Sequence, residues 1–479
     1  MSVGSADQRE EAPVNSERPD LAEETADGPR WTRTVCCLCF EVYGRVSDQR
    51  RWRAGPLPIP LPDGRQADRA IRATYFNERA ADALYGLAGT DSAPTRWHSV
   101  DADAWTLPGS LLGLELLQFS RYTSALSADQ AASERTDRCR YLAVIHLSLP
   151  PGSPIDALAA AVRLDPLDPA GADRRAHYAG LFGPGFEIAA AVRRAFSVVM
   201  LTWAEPPALP ADAPREWAAA DAWLWAAASA TPFVQVCPDV ADPHLLDGLI
   251  FLSSSWRALA LRDGVSFFGL KPEEDRSGRG FFDWAECYMR SLYTDAVLLG
   301  ALERNALDDF ANRLARIGNR FEKSVEFRSL VNEVTEFRNV FWWEDVTRHG
   351  PANEILRQLH NAHHTPQLFA RVVDDLEAFR QQVEAQALEA SLSLQMAEER
   401  RARFFEHSAS IAAIAFALPV LIFAALAVPI RGVTANGRDV PAWLVVALGL
   451  GSVVLGAGVG ALANWWLLRA RREVRRSNL

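Results

Sequence analysis

The sequence lacks the residues that mark several large classes of protein. Six cysteines in 479 residues cannot build a disulfide framework and fit a reducing compartment. The chain has 50 basic against 60 acidic residues, a net charge of −10, and no arginine or lysine stripe before its C-terminal end. Because neutralising phosphates requires such a basic surface, we expect no nucleic-acid partner.

Motifs of catalysis are also missing. The chain has no glycine-rich phosphate loop followed by Lys-Ser/Thr, no His-Glu-x-x-His and no Gly-x-Ser-x-Gly. Scattered aspartate, histidine and serine residues do not define a site without geometry. We therefore predict that the protein is not an enzyme. We also predict no bound cofactor, with a divalent cation as the one candidate ligand.

Residues 1–30 are acidic and polar, and they contain no apolar run of the kind that a secretory signal needs. Their composition predicts a disordered tail. The acidic residues are Asp7, Glu10, Glu11, Glu17, Asp20, Glu23, Glu24 and Asp27.

Residues 31–280 have the pattern of a mixed α/β domain. Apolar runs bounded by turn residues predict strands at 35–43, 141–149, 197–203 and 233–237. Helical patterns lie between them, at 66–87, 155–164 and 215–228. Asp263-Gly264 separates two further apolar runs and predicts a hairpin, since this dipeptide accepts positive φ. Cys36, Cys37 and Cys39 alternate along the first strand, which predicts that Cys37 points away from the other two.

The chain becomes helical after Gly280. Residues 281–365 predict a helical subdomain, and residues 366–407 predict a stalk helix with few breakers. Apolar residues recur along its beginning in steps of three and four, as in a coiled coil. They are Phe369, Val372, Leu376, Phe379 and Val383. Further along, the same row is small or polar, which fits either an open ring of helices or a solvated face.

Two long uncharged runs follow, at 408–430 and 440–468. As helices they would extend about 34 and 43 Å, enough to cross a bilayer core of about 30 Å. We predict two transmembrane helices joined by an outer loop at 431–439 and followed by a basic tail at 469–479. A buried hairpin in a soluble core is the alternative.

The arginines around these runs predict an orientation. They cluster before the first run and after the second, at Arg400, Arg401, Arg403, Arg469, Arg471, Arg472, Arg475 and Arg476. By the positive-inside rule, both termini of this multi-pass inner or cell membrane protein face the cytoplasm.

The layout resembles the CorA-like magnesium transporter family. The α/β domain, helical subdomain, long helix, two spans and basic end match that family, as does the segment 337–345 (FRNVFWWED). The resemblance implies a homopentamer in a lipid bilayer, with the first span lining the pore. The family's Gly-Met-Asn motif is absent, because VPIRGV occupies residues 428–433.

A pore would be lined by one face of the first span. Its candidate residues are Ser408, Ile411, Ala415, Leu418, Ile422, Ala425, Pro429 and Arg431. A ring of Arg431 side chains at the outer mouth would repel a divalent cation. Small residues at Ser452, Gly456 and Gly460 would allow the second span to pack closely, although glycine is common in membrane helices anyway.

A weak metal-site candidate lies before Pro366. His360 and His364 stand at i and i+4, so both imidazoles would face one metal if this stretch were helical. An exposed helix end is the alternative.

Two functional hypotheses follow from these observations. The first is a CorA-like ion channel or transporter whose ion selectivity is left open by the missing motif. The second is a membrane-tethered sensor or effector in which the domain before the spans binds a ligand or a partner.

Overall fold

The computed structural model describes most of the chain between residues 31 and 433. The described ranges are 31–46, 51–86, 94–101, 105–119, 139–239, 241–273, 280–317 and 324–433, with single residues between 443 and 469. The chain divides into two compact units, Met1–Leu376 and Glu377–Leu479. The predicted tail 1–30, the loop residues 434–439 and the end 471–479 lie outside the described residues.

The first unit contains twelve described strands and most of the helices. The strands are β1 (Trp31–Gly44), β2 (Arg53–Ala54), β3 (Ile59–Pro60), β4 (Gln66–Ala67), β5 (Arg96–Ser99), β6 (Ser110–Gln118), β7 (Cys139–Ser148), β8 (Glu187–Ile188), β9 (Phe196–Trp203), β10 (Leu249–Phe251), β11 (Trp256–Ala260) and β12 (Gly264–Gly269). The helices are α1 (Arg69–Tyr75), α2 (Glu78–Tyr85), α3 (Pro154–Val162), α4 (Pro169–Phe182), α5 (Ala219–Ala228), α6 (Phe281–Tyr288), α7 (Thr294–Ile317), α8 (Ser324–Val340), α9 (Gly350–Ala362) and α10 (Thr365–Val433).

A ten-stranded mixed sheet forms the centre of the first unit. Its order is β10-β11-β12-β9-β1-β7-β6-β5-β2, and β8 pairs with the end of β1. The central strand β1 is antiparallel to both β7 and β9, whereas β12 runs parallel to β9. β1 can occupy the centre because it is apolar on both faces, as strands covered on both sides must be.

Each face of the sheet carries its own core. Cys36, Leu38 and Phe40 point to the side that α3, α4 and α5 cover. Cys37 and Cys39 point to the other side, beneath α2, α6, α7 and α9. The prediction that Cys37 points away from both other cysteines is therefore wrong, because residues two apart on a strand share a face.

The Asp263-Gly264 hairpin is confirmed, with β11 and β12 antiparallel from Trp256 paired with Gly269 to Ala260 paired with Val265. The strand predicted at 233–237 is wrong. Amide groups of Gln235 and Val236 donate to the carbonyl of Pro232, which makes a turn, and Val234 and Val236 are exposed. An apolar run that no layer covers has no reason to extend as a strand.

The helical subdomain predicted at 281–365 contains a π-turn inside its first helical stretch. Residues Met289–Tyr293 form a π-turn between α6 and α7, and the Thr294 hydroxyl donates to the carbonyl of Met289 over 2.7 Å. Such a turn inserts one residue into the helix and shifts the faces that follow it. The residues of the predicted stalk helix, 366–407, lie within α10, whose first residues belong to the first unit and whose remainder belongs to the second.

The two predicted transmembrane helices are not supported. Within the described residues, no helix combines the length and the apolar character that crossing a membrane requires. The prediction rested on the absence of charged residues from 408–430 and 440–468. The backbone of 408–430 lies in α10, but most side chains of this range lie outside the described residues. Most of 440–468 lies outside them as well. The membrane location, the cytoplasmic termini and the ion-transport interpretation built on these spans are corrected accordingly.

A glycine contact at β12 gives a test of the sheet packing. A methyl group on Gly264 would lie 2.5 Å from Ser197 Oγ and 2.7 Å from the carbonyl oxygen of Ala228, whereas one on Gly180 in α4 would meet nothing within 4 Å. We expect Gly264→Ala to lower the free energy of unfolding by about 1–3 kcal/mol. Gly180→Ala should raise it by about 0.5–1 kcal/mol, because glycine is costly in a helix. Urea unfolding followed by circular dichroism measures both, and equal stability of the two variants would contradict the packing.

Candidate functional site

The predicted pore and packing residues are placed only in part. Ser408 and Ile411 lie on α10, where the Ser408 hydroxyl donates to the carbonyl of Phe405 over 2.9 Å and Ile411 is 39% exposed. The side chains of Ala415, Leu418, Ile422, Ala425, Pro429 and Arg431 lie outside the described residues. Ser452 and Gly456 also lie outside them, and a methyl group on Gly460 would meet nothing within 4 Å.

The histidine pair does not sit on one helix. His360 is on α9, where its Nε2 lies 2.5 Å from Glu303 Oε2, and His364 lies in the link to α10 with φ of +52°. The helical spacing that suggested a shared metal is thus interrupted between the two residues. Among the residues that the structure describes, no three histidine, cysteine or carboxylate side chains group in a way that could hold a metal.

A buried network of charges lies between the sheet and its helical cover. Arg96 Nε donates to Glu115 Oε2 over 2.6 Å, and Arg96 also donates to Asp295 Oδ1 over 2.7 Å. Arg72 lies 3.3 Å from Asp295 Oδ2, and the Tyr85 hydroxyl donates to that same oxygen over 2.6 Å. All five side chains are buried. Two guanidinium groups and two carboxylates balance each other, which is the condition for burying charge at all.

Five separate elements supply this network. Arg96 comes from β5, Glu115 from β6, Arg72 from α1, Tyr85 from α2 and Asp295 from the first turn of α7. On β6, Leu114 and Leu116 face one core and Leu117 faces the other, so strand alternation turns Glu115 toward the helices α2 and α7. The network therefore fixes the position of three helices on the sheet.

Arg72 also satisfies the backbone around it. Its Nε donates to the carbonyl of Ala67 over 2.9 Å, and another of its nitrogens donates to the carbonyl of Leu57. These bonds attach β4 and the segment before β3 to the network. A buried carbonyl without a donor would cost free energy, so the arginine stabilises these segments in addition to the carboxylates.

The network continues across the sheet to a histidine and a cysteine. His146 Nε2 lies 3.1 Å from Glu115 Oε1, and His146 Nδ1 lies 3.2 Å from Cys37 Sγ. Burial alone would lower the pKa of His146, but Cys37 and Glu115 outweigh burial and raise it. Burial would likewise raise the pKa of Glu115, yet Arg96, His146 and Arg72 hold it well below its usual range.

The order thiol, imidazole, carboxylate is that of a nucleophilic triad. Burial prevents it from acting as one, because Cys37 and His146 have no exposed surface and Glu115 has 1%. A substrate has to reach a nucleophile, and the described residues leave no path to this one. The arrangement holds three neighbouring strands together and keeps the imidazole in one orientation.

A second buried pair lies at the other end of the same helical layer. Glu303 of α7 binds His360 of α9, and its Oε1 accepts the backbone N–H of Trp343 over 2.9 Å. The Trp342 ring stacks on His360 at 5.3 Å between centroids and on Phe369 of α10 at 4.8 Å. Burial is the main cause that raises the pKa of Glu303 above its usual range, and His360 lowers it only partly.

The sequence contained a signal for both sites that went unused. Glu115, His146, Asp295 and Glu303 each stand inside an apolar run, in LLGLELLQ, YLAVIHLSL, SLYTDAVLLG and LLGALERNAL. A charged residue in a run that is otherwise buried requires a buried partner. The partners could not be named, because Arg72 and Asp295 are 223 positions apart in the chain.

Comparison with known proteins adds no relative: no protein-family model, no curated protein and no solved structure matches the chain. The resemblance to the CorA-like family stays a prediction that these comparisons do not test.

Removing one charge from the buried network should be strongly destabilising. We expect Arg96→Leu to lower the free energy of unfolding by about 3–5 kcal/mol, because Glu115 and Asp295 would keep buried charges without their main partner. Arg65→Leu is the control, since Arg65 is 65% exposed in its pair with Asp63 and solvent screens such surface pairs, so that they contribute little to stability. Urea titration compares the two, and similar losses would show that the network contributes little.

The raised pKa of Glu303 predicts a pH dependence. A carboxyl group whose pKa is higher in the folded state loses stabilisation as the pH rises from its usual range, about 4.3, through the raised value. Glu303→Gln cannot ionise, so its stability relative to the wild type should increase between pH 4 and pH 8. Urea unfolding across this range provides the measurement.

Glu273→Gln is the matched control with the opposite sign. Burial would raise the pKa of Glu273, but hydrogen bonds from Arg33, Thr202 and Thr32 lower it. The ionised form thus contributes stability that is complete above the usual pKa, about 4.3, and is lost as the pH falls through the lowered value. The glutamine variant should therefore lose stability relative to the wild type as the pH rises to about 4.3 and keep a constant difference above it, in a titration that extends below pH 4. Parallel curves for both variants would contradict the assignment.

Proposed function

We propose that the chain is a non-catalytic sensor or effector, in which the domain formed by residues 31–376 responds to a ligand or partner and passes the response to the start of α10. The sealed thiol-imidazole-carboxylate chain argues against catalysis at this site. The charged residues of the buried network join two strands, β5 and β6, to the helices α1 and α7.

One observation carries the proposal: α7 supplies a buried carboxylate to each of the two sites, Asp295 to the charge network and Glu303 to the pair with His360. Asp295 binds Arg72, Arg96 and Tyr85 on the side of the sheet, and Glu303 binds His360 and the Trp343 amide. The two residues are eight positions apart, or about 12 Å along the helix. A rotation or shift of α7 would therefore strain both groups of hydrogen bonds together.

The elements at both ends of α7 suit such a movement. The π-turn at Met289–Tyr293 lies directly before Asp295, and π-turns are places where helix register changes. At the other end, Trp342 stacks on both His360 and Phe369, and Val372 and Leu376 of α10 are buried in the same unit. The first turns of α10 thus depend on the group that Glu303 organises.

The first residues of the predicted coiled-coil row support this role for α10. Phe369 stacks within the helical layer, and Val372 and Leu376 have 2% and 7% of their surface exposed in the single chain. They pack inside the domain and are not available to other copies of the chain. Changes in the domain core would act on α10 through these three side chains.

Amide hydrogen exchange on the full chain tests this coupling. Asp295→Asn weakens only the contacts at the sheet end of α7, so in our proposal it should raise exchange within Thr365–Leu376 several-fold, as Glu303→Gln does directly. Glu273→Gln is the control, since it also removes one buried carboxylate charge but lies in the separate Arg33 group. Variants are compared at equal global stability. Faster exchange around α1 and α2 alone, with Thr365–Leu376 unchanged in Asp295→Asn, would rule out the coupling.

A further inference from the structure

We infer that an arginine-rich surface binds the acidic N-terminal segment, residues 1–30 of the same chain. This surface lies on the face of the sheet that α3, α4 and α5 cover, opposite the buried charge network. The arginine surface consists of Arg163, Arg174, Arg175, Arg193 and Arg194. This inference is independent of the role proposed for α7 and α10.

Hydrogen bonds show that the five arginines form one surface. Arg163 and Arg194 are paired across an isolated β-bridge, and the Leu164 amide donates to the carbonyl of Arg193 over 2.9 Å. Arg174 donates to the carbonyl of Arg163 over 3.3 Å, and Arg175 donates to that of Val192 over 2.6 Å. The end of α3, the middle of α4 and the segment before β9 thus converge on one place.

The positive charge of this surface is only partly balanced. Arg193 lies 3.0 Å from Asp165, and Arg163 lies 3.6 Å from Asp168, but these arginine side chains remain 61% and 52% exposed. Asp173 on α4 is the third aspartate nearby in the sequence. Glu187, beside the carbonyls of Ile188 and Ala189 that Arg175 binds, is a fourth acidic residue. Five arginines against four acidic residues leave an excess of one positive charge, in a chain whose net charge is −10. An excess against the sign of the whole protein favours an anionic partner.

The way the arginines are bonded distinguishes between anionic partners. Arg175 donates to the carbonyl groups of Leu164, Ile188, Ala189 and Val192, and Arg194 donates to those of Ser229 and Ala230. Burial lowers the pKa of Arg175, which has only carbonyl partners in this set. A phosphate group requires several free N–H donors aimed at one point. Here backbone carbonyls already occupy many N–H donors of Arg175 and Arg194, while the positive charge of the arginines remains. This favours an acidic polypeptide, whose negative charges are distributed along its length.

The chain itself contains such a polypeptide. Residues 1–30 hold eight acidic residues and three arginines, a net charge of −5. Residue 31 begins β1, and the carbonyl of Glu41 on β1 accepts the amide of Ala189 beside the arginine surface. The path along β1 from Trp31 to Glu41 is about 33 Å. Thirty residues can extend about 100 Å, so the acidic residues can reach the surface.

Limited proteolysis of the full chain with a glutamate-specific protease tests this inference. In 20 mM salt, cleavage after Glu17, Glu23 and Glu24 should be several-fold slower in the wild type than in Arg163→Glu/Arg193→Glu. Both of these arginines are exposed, and their surface ion pairs contribute little to stability, so the variant should fold. Its circular dichroism and thermal midpoint verify this.

The control keeps the same change of charge at another place. Arg65→Glu/Arg348→Glu replaces two exposed arginines outside the arginine surface and should cleave at the wild-type rate. Equal rates in the wild type and both variants would overturn the inference, and equal acceleration in both variants would do so as well, because only net charge would then matter.

A second measurement separates the acidic segment from a phosphate ligand. A fluorescent peptide of residues 1–30 is added to the full chain in which the eight acidic residues of the segment are replaced by their amides. We expect Arg163→Glu/Arg193→Glu to weaken its binding at least 10-fold and the control pair to change it less than 2-fold. Displacement of the peptide by inorganic phosphate, but not by chloride at equal ionic strength, would overturn the assignment in favour of a phosphate site.

Discussion

The fold of the first unit depends on keeping four buried charges together. Arg72, Arg96, Glu115 and Asp295 are sealed from solvent, and each is tolerable only while the others are present. Apolar side chains can repack at a modest cost in free energy. Separating buried ions from their partners in a medium of low dielectric costs much more. The network therefore specifies how α1, α2 and α7 sit on β5 and β6 more narrowly than hydrophobic contact alone would.

The same constraint explains why the thiol of Cys37 does not act as a nucleophile. Cys37 has a histidine and a carboxylate in the order that activates a thiol, yet all three belong to the packed join between sheet and helices. Their polarity satisfies neighbouring groups, and in the described part of the chain Cys37 and His146 have no exposed surface and Glu115 has 1%. Exposed charge lies on the other face of the sheet, which α3, α4 and α5 cover. The arginines there outnumber the nearby carboxylates.

Local features of the fold could be predicted from the sequence, and long-range ones could not. The apolar runs of β1, β7 and β9 and the Asp263-Gly264 turn are visible in the chain because each depends on neighbours within a few residues. The short strand β5 has no such pattern, and the apolar run at 233–237 lacks a covering layer. The two long uncharged runs led to transmembrane helices that the described residues do not support.

The candidate sites illustrate the same limit. The spacing of His360 and His364 predicted a shared metal, but the partner of His360 is Glu303, 57 positions away. The left-handed backbone at His364 ends the helix that the spacing assumed. Charged residues inside apolar runs, such as Asp295 and Glu303, indicate that a buried partner is required. The sequence does not identify that partner, because only folding brings the two residues together.

The pairing of β1 also sets an order of events during synthesis. This strand leaves the ribosome before both of its partners, because Val35 pairs with Ser148 on one side and with Met200 on the other. More than a hundred residues must be made before either neighbour exists, and closing such long loops is slow. Until then both apolar faces and both edges of β1 are uncovered, so the nascent chain exposes an aggregation-prone strand until β7 and β9 are made.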